Sequence, residues 1–347
     1  MTAAFAGWPA VLAEVAAGHD LDPALAHAAM EQILAGEATP AQIAGLIVGL
    51  RIKGETVEEL AALRQAMLDA AVRITLPAGI DPIDTCGTGG DRAGTINVSS
   101  IAALVIAGGG VPVLKHGNRA SSSQCGSADV YEALGMSIDL GPDEVAASVA
   151  ETGFGFALAP RFHASMRHAG PTRKELGIPT AFNFLGPIAN PAGVRRQVVG
   201  VADGGMAERM LGVLQASGTT RALVVYGADG LDELTTTTTS TVHELRDGSV
   251  TTYEVDPTSF GLALAAPDDL LGGTAEVNAS SARAVLAGDA GPHRDIVVLN
   301  AAAGFLVADA AADLAEGVTL ARAAIDDGRA EAKLAEVVEV GTRLSTD

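Results

Sequence analysis

The sequence predicts an α/β protein: a small N-terminal helical domain followed by a larger α/β domain with a mainly parallel central sheet. Three observations carry this. Residues 8–72 hold capped segments of helical apolar spacing and no strand pattern. From about residue 80, short apolar runs alternate with helical segments, which implies crossover connections and parallel strands. Glycines, 41 in 347 residues against an average of ~7%, cluster beside those short runs.

In the first segment, Asp22 caps a helix with Pro23 in its first turn. Thr39-Pro40-Ala41-Gln42 and Thr56-Val57-Glu58-Glu59 both read as capping boxes. "AQIAGLIVGLRIKG" and "EELAALRQAMLDAA" then have amphipathic spacing. Further on, "DPIDTCG", "VPVLKHG", "RQVVGVA" and "RALVVYGADG" read as strands. "SSIAALVIAGGG", "ADVYEALGM", "MAERMLGVLQASG" and "DIVVLNAAAGFLVAD" read as helical segments between and after them. "GSVTTYEVDPTSFGL" reads as an edge hairpin or excursion. The length suits two domains at about 150 residues each. The expected boundaries are 1–75 for the helical domain, completed by a segment near 165–190, and 76–347 for the α/β domain.

The formal net charge is −20, which argues against nucleic acid and anionic membranes as partners, since both require basic footprints. No apolar run reaches the ~18 residues of a membrane span. The start has no basic n-region of a signal peptide. Cys86 and Cys125 form no CxxC, which fits a reducing, cytoplasmic setting.

Against this acidity, "DTCGTGGDRAGTINVSS" (84–100) is built to hold an anion. Gly87, Gly90 and Asp91 lie in a turn after a strand. Thr95, Asn97, Val98, Ser99 and Ser100 lead into an apolar helix. Glycine lets main-chain N–H groups converge, and a helix N-terminus adds partial positive charge. Neither GxGxxG nor GxxxxGK[ST] is present, and a plain βα turn with a serine cap is the alternative.

A second constellation follows the next strand: Lys115, His116, Gly117, Asn118, Arg119, Ala120, Ser121, Ser122 and Ser123, then Ser127 at a helix start. A flexible ammonium with several hydroxyl donors suits phosphate oxygens, and a solvated polar loop is the alternative. Residues 115–174 hold six Lys/Arg and six Asp/Glu, so the whole net negative charge lies elsewhere. Arg173, beside "FNFLGP", suits bidentate capture of a carboxylate. Asp232 and Glu233 after "ALVVYG" suit Mg²⁺, which takes one or two carboxylates plus substrate phosphates; an ordinary acidic turn is the alternative. Cys86 reads as a small buried thiol.

In this order, "GTGGD", "KHGNR", "GSADVYEALG" and "RKELG…FNFLGP…NP" resemble the anthranilate phosphoribosyltransferases of tryptophan biosynthesis over nearly the whole chain. The related pyrimidine nucleoside phosphorylases share the architecture with different Lys and Ser loops. The resemblance implies a transferase that joins 5-phosphoribosyl diphosphate to anthranilate, with the site at the hinge between domains. It implies two Mg²⁺ ions and a homodimer formed through the helical domain. It further implies that Gly87, Gly90, Asp91, Thr95, Asn97–Ser100, Lys115–Ser123 and Ser127 line the phosphoribosyl diphosphate site. Asn118 and Arg173 then contact anthranilate, with Gly87 near both substrates. Ser99, Asp232 and Glu233 match metal ligands, and Lys115 and Asn118 match groups that stabilise the transition state. "RFHASM" departs from the family pattern and leaves His163 without an assigned role. Arg92 stands where a small residue is common, and the threonine run lacks the usual Gly-Pro.

Overall fold

The computed structural model of the chain describes residues 5–120 and 123–346. Four helices open it: α1 (Trp8–Ala16), α2 (Pro23–Leu34), α3 (Pro40–Lys53) and α4 (Val57–Asp69). The expected caps are present. Asp22 accepts the Ala24 N–H at 2.9 Å, and Thr39/Gln42 and Thr56/Glu59 close capping boxes. Glu59 is fully buried because its carboxylate also accepts from the Leu21 N–H at 2.7 Å and the Lys53 ammonium at 2.8 Å. Val11, Met30, Ile33, Leu46, Leu50 and Leu63 fill the space between the helices.

The second half of the fold begins with β1 (Ile83–Gly87), α5 (Val98–Gly108), β2 (Val113–Gly117), α6 (Ser127–Ala133), α7 (Pro142–Thr152) and β3 (Phe154–Leu158). The chain then runs through three short helices, α8 (Ala159–Phe162), α9 (Gly170–Leu176) and α10 (Ala181–Leu185). It re-enters the sheet with β4 (Arg196–Gly200), α11 (Gly204–Ala216), β5 (Arg221–Gly227), β6 (Ser240–Arg246) and β7 (Ser249–Val255). It closes with α12 (Ala275–Leu286), α13 (Pro292–Val307), α14 (Leu314–Asp326) and α15 (Arg329–Leu344). Among the described residues, no helix is long and apolar enough to cross a membrane.

The seven strands lie in the order β3-β2-β1-β4-β5-β6-β7. The first five are parallel, and the β5–β6 and β6–β7 pairs are antiparallel. Asp247 and Gly248 close the β6–β7 hairpin with φ of 48° and 81°, the left-handed pair that suits the twist of two adjoining strands. The stretch expected as an edge hairpin therefore supplies its outer strand. The sequence reading did not single out β3 or β6.

The core lies in two layers. On one face, Ile101, Leu104, Val105, Val298 and Phe305 pack on Val113, Val198 and Leu223. On the other, Val199 and Val224 meet Met210 and Leu214 of α11, and beyond them the helical bundle. Phe182, Phe184 and Leu185 of α10 join that second layer, so the segment returning from β3 packs on the bundle.

The chain steps outward from β1 to β3, then crosses back past β1 to β4. Such a switch point leaves a crevice at the carboxyl ends of the strands, where open α/β sheets bind ligands. Strands β1, β2, β4 and β5 all end there on glycine: Gly87, Gly117, Gly200 and Gly227.

Candidate active site

Two adjoining cavities fill the crevice. The first, of about 380 Å³, lies between the turn after β1 and the loop after β2. The expected residues Gly87, Gly90, Asp91, Thr95, Asn97, Val98, Ser99 and Ser100 line it, as do Lys115, His116, Gly117, Asn118, Arg119, Ala120, Ser123 and Ser127. Asp232 and Glu233 complete its wall. Ser121 and Ser122 lie outside the described residues.

The turn after β1 is left-handed at Gly89, Gly90 and Gly94, with φ of 67°, 86° and 67°, a backbone that glycine adopts without strain. Asn97 precedes α5 but makes no capping bond. Its amide donates to the Cys125 carbonyl at 3.1 Å and so joins the two loops.

The loop after β2 differs from expectation in two ways. Lys115 is not a flexible loop ammonium. It sits on β2, buried, and donates to the Thr85 carbonyl and, at 3.3 Å, to Ser99 Oγ. Strand pairing fixes its main chain, and its alternation with His116 sends it under the glycine turn. Arg119 lines the cavity, but its guanidinium is engaged with Glu132 at 2.8 Å and Asp129 at 3.0 Å on α6. Asp129 also accepts from the Ala120 and Gly126 N–H groups, each at 2.8 Å, which anchors the loop.

His116 faces the other way. Its Nδ1 lies 3.2 Å from the Gly186 carbonyl, and burial, with His163 nearby, lowers its pKa to about 3. The ring is neutral at pH 7, with the proton on Nδ1. His163 lies 5.2 Å away, its ring tilted by 53°, with Nε2 on the Ala189 carbonyl at 2.9 Å, so it braces the segment leading to β4.

Asp232 accepts from the Gly89 N–H at 2.7 Å and Glu233 from the Ser99 N–H at 3.1 Å. Burial pushes both carboxyls above the ordinary range. The Asp91 charge adds to this for Asp232, as does Asp232 itself for Glu233. The donor set fits a hard divalent cation. Three oxygen acids, Asp91, Asp232 and Glu233, crowd together, and the Lys115 charge opposes them at Glu233. Among the described residues, no group of three or more His, Cys, Asp or Glu is arranged to hold a metal alone. A cation there needs further oxygens from a ligand, as Mg²⁺ normally takes them from phosphates.

The second cavity, of about 730 Å³, shares the walls Gly87–Thr88, His116–Asn118 and Asn183 with the first. Arg173, Ile178 and Phe182 form its far side. The Arg173 guanidinium lies 5.5 Å above the Phe182 ring and has no carboxylate within ion-pair distance among the described residues. Cys86 sits at the junction, donating to the Pro187 carbonyl at 3.2 Å. Burial raises its pKa well above the usual range, so it remains a thiol.

Sequence reasoning missed Asn183, which lines both cavities. Its signal was ambiguous: Thr180-x-x-Asn183 is a capping pair, and Asn183 Oδ1 does accept the Thr180 N–H at 3.0 Å.

Comparisons with known proteins identify the two modules and their relatives. Residues 80–331 match the glycosyl transferase family α/β domain, and residues 9–71 match its helical bundle domain. An anthranilate phosphoribosyltransferase of Rhodococcus jostii is 50% identical over 98% of this chain and 94% of its own. One from Mycolicibacterium smegmatis is 51% identical over 97% of this chain and 94% of its own. Among solved structures, the anthranilate phosphoribosyltransferase of Thermus thermophilus superposes with a TM-score of 0.90 at 41% identity, covering 96% of this chain and 99% of that one. The enzyme of Saccharomyces cerevisiae, in complex with PRPP and Mg, superposes at 0.89 with 26% identity, covering 97% and 98%. With both modules present in order and relatives matched along almost their full length, the chain belongs to the anthranilate phosphoribosyltransferase family.

Proposed function

We propose that the chain transfers the phosphoribosyl group of 5-phosphoribosyl diphosphate to the amine of anthranilate, releasing diphosphate, as a step of tryptophan biosynthesis. One observation carries the reading. A cavity of glycine turns, hydroxyls, a buried lysine and an acidic pair opens onto a second cavity with an uncommitted arginine over an aromatic ring. The first suits a sugar phosphate and the second an aromatic acid.

The anionic donor lies against the Gly87–Gly90 turn and the α5 start, where the Gly90 and Asp91 N–H groups have no internal acceptor among the described residues, with Asn97–Ser100, Asn118, Ser123 and Ser127 completing its bed. Lys115 adds positive charge from below, where the screening of bulk water is absent. Ser99, Asp232 and Glu233 are the residues to hold Mg²⁺, with two ions as the expected number. When bound, the metal neutralises charge growing on the departing diphosphate. Arg173 pairs with the acceptor's carboxylate, and Asn118 helps orient its amine toward the sugar carbon. That amine is neutral at pH 7 and attacks without prior loss of a proton. The neutral, carbonyl-bound His116 is consistent with a site that has no strong base. Inversion at the sugar carbon follows from the acceptor entering opposite the leaving diphosphate.

The enzyme works as a homodimer in the cytoplasm, paired through the helical domain. Ile52 on α3, 82% exposed, supports an apolar contact there. The chain should consume 5-phosphoribosyl diphosphate with Mg²⁺ and quench anthranilate fluorescence as the adduct forms. Aromatic amines without a carboxylate should react poorly, because Arg173 then has nothing to pair with. Turnover of thymidine with phosphate, and none of anthranilate, would assign the chain to nucleoside phosphorolysis instead.

A further inference from the structure

The acidic pair is gripped from behind. Leu234, the next residue, is buried, and the side-chain amide of Asn300 on α13 meets its main chain. The Leu234 N–H donates to Asn300 Oδ1 at 3.0 Å, and Asn300 Nδ2 donates to the Leu234 carbonyl at 2.8 Å. One side chain thus pairs with one residue as a neighbouring strand would. The other N–H of the same amide goes to the Ile296 carbonyl, one turn earlier, at 2.9 Å, which fixes the rotamer.

Asn300 is buried among apolar neighbours on a helix whose residues from Ile296 to Val307 are all buried. A buried amide at such a position is unfavourable unless its bonds are complete, and an apolar residue would pack there without that demand. Two residues earlier in the same stretch, at Asp232, Gly200 leaves no clearance: a Cβ on that glycine would overlap the Asp232 carbonyl. The main chain of residues 232–234 is therefore fixed at one end by a strand-end glycine and at the other by a helix asparagine.

We propose that Asn300 is a positioning residue for the divalent-cation site, holding the Asp232 and Glu233 carboxylates convergent against their mutual repulsion. The proposal rests on the reading of that pair as metal ligands. Asn300 touches no substrate itself. It acts through the Leu234 main chain, so its loss should weaken cation binding and leave the acceptor pocket intact.

The test uses the full-length protein, with Mn²⁺ affinity measured by electron paramagnetic resonance in the presence of diphosphate. Turnover is titrated with Mg²⁺ in parallel. Asn300→Asp keeps the shape and loses the donor; Asn300→Leu loses all three bonds. Val298→Ala, buried on the same helix with no polar group to bond the Leu234 main chain, controls for general loss of stability. Both Asn300 variants should bind Mn²⁺ at least tenfold more weakly and need correspondingly more Mg²⁺ for half-maximal turnover. Their anthranilate KM should stay within twofold of wild type, and Val298→Ala should bind Mn²⁺ as wild type does.

Wild-type Mn²⁺ affinity in folded Asn300 variants overturns the proposal, as does an equal weakening in Val298→Ala. Failure of both Asn300 variants to fold, when Val298→Ala folds, makes the residue a folding determinant only and overturns it as well. The combined Asp232→Asn, Glu233→Gln variant separates the two readings. If it keeps wild-type Mn²⁺ affinity, the metal assignment itself fails. If it loses Mn²⁺ and the Asn300 variants do not, only the Asn300 proposal fails.

Discussion

Replacing Arg173 with alanine separates the two halves of the candidate site. The guanidinium has no carboxylate partner in the described fold, so its removal breaks no internal ion pair. The folded state loses only the cation–π contact with Phe182, worth about 0.5–1 kcal/mol. Tm should therefore fall by no more than about 2–3 °C. Binding of an aromatic carboxylate loses a charge-assisted contact, of the order of 1.5–3 kcal/mol. At about 1.4 kcal/mol per tenfold change, the anthranilate KM should rise by roughly 10- to 150-fold. The KM for 5-phosphoribosyl diphosphate should hardly move, because Arg173 lines the second cavity and not the first. The assay follows the loss of anthranilate fluorescence while each substrate is varied at saturation of the other. Arg173→Lys should recover part of the loss, as a point charge lacking the planar fork. Equal rises in both KM values would refute the reasoning, and so would a threefold change or less for anthranilate.

Three further outcomes follow from the buried groups. His116, with a folded pKa of about 3 against 6.5 unfolded, binds fewer protons folded than unfolded, so its contribution to stability is lost as pH falls below 6.5. Between pH 7 and pH 5, the stability margin of wild type over His116→Asn should shrink by about 2 kcal/mol, measured by urea unfolding at each pH. A constant margin would show that the imidazole is not held neutral. Lys115→Met leaves Asp84 and Glu233 without their nearby cation, and breaking a buried charge system in this way costs about 3–5 kcal/mol. Denaturant midpoints should drop accordingly, and a stabilised variant would contradict the charge balance described here. Gly200→Ala forces a Cβ onto the Asp232 carbonyl and should abolish most Mg²⁺-dependent turnover while costing about 1–3 kcal/mol of stability. Full activity in that variant would mean that the 232–234 main chain has slack.

Much of this architecture was legible because capping chemistry and apolar period agree locally. Thr39, Thr56 and Asp22 mark helix starts by side-chain spacing alone. Glycines at strand ends mark the crevice, and both cavities form where the expected motifs converge. Lys115 was harder to place. A lysine within a polar run reads as solvated, and only the β2 pairing register shows that it alternates inward. Arg119 lines the cavity as expected, but its ion pairs gave no signal: its acidic partners lie 10 and 13 residues on, and only the α6 turn folds them back onto it. Strand β3, "FGFAL", is too short to separate from a helix by period, and β6 alternates too weakly to stand out. Asn300 gave no signal, because a single amide in a long apolar helix acquires meaning only from what the helix lies against.

Helix α10 packs against the bundle, whereas the glycine turn and the acid pair ride on the sheet. The second cavity therefore takes Phe182 from one side and His116–Asn118 from the other, and its width is set by how the two seat on one another. The bundle-side wall is threaded between β3 and β4, in the middle of the sheet's own sequence. No single cut of the chain could part the two walls, so the pocket stands or falls with the whole fold.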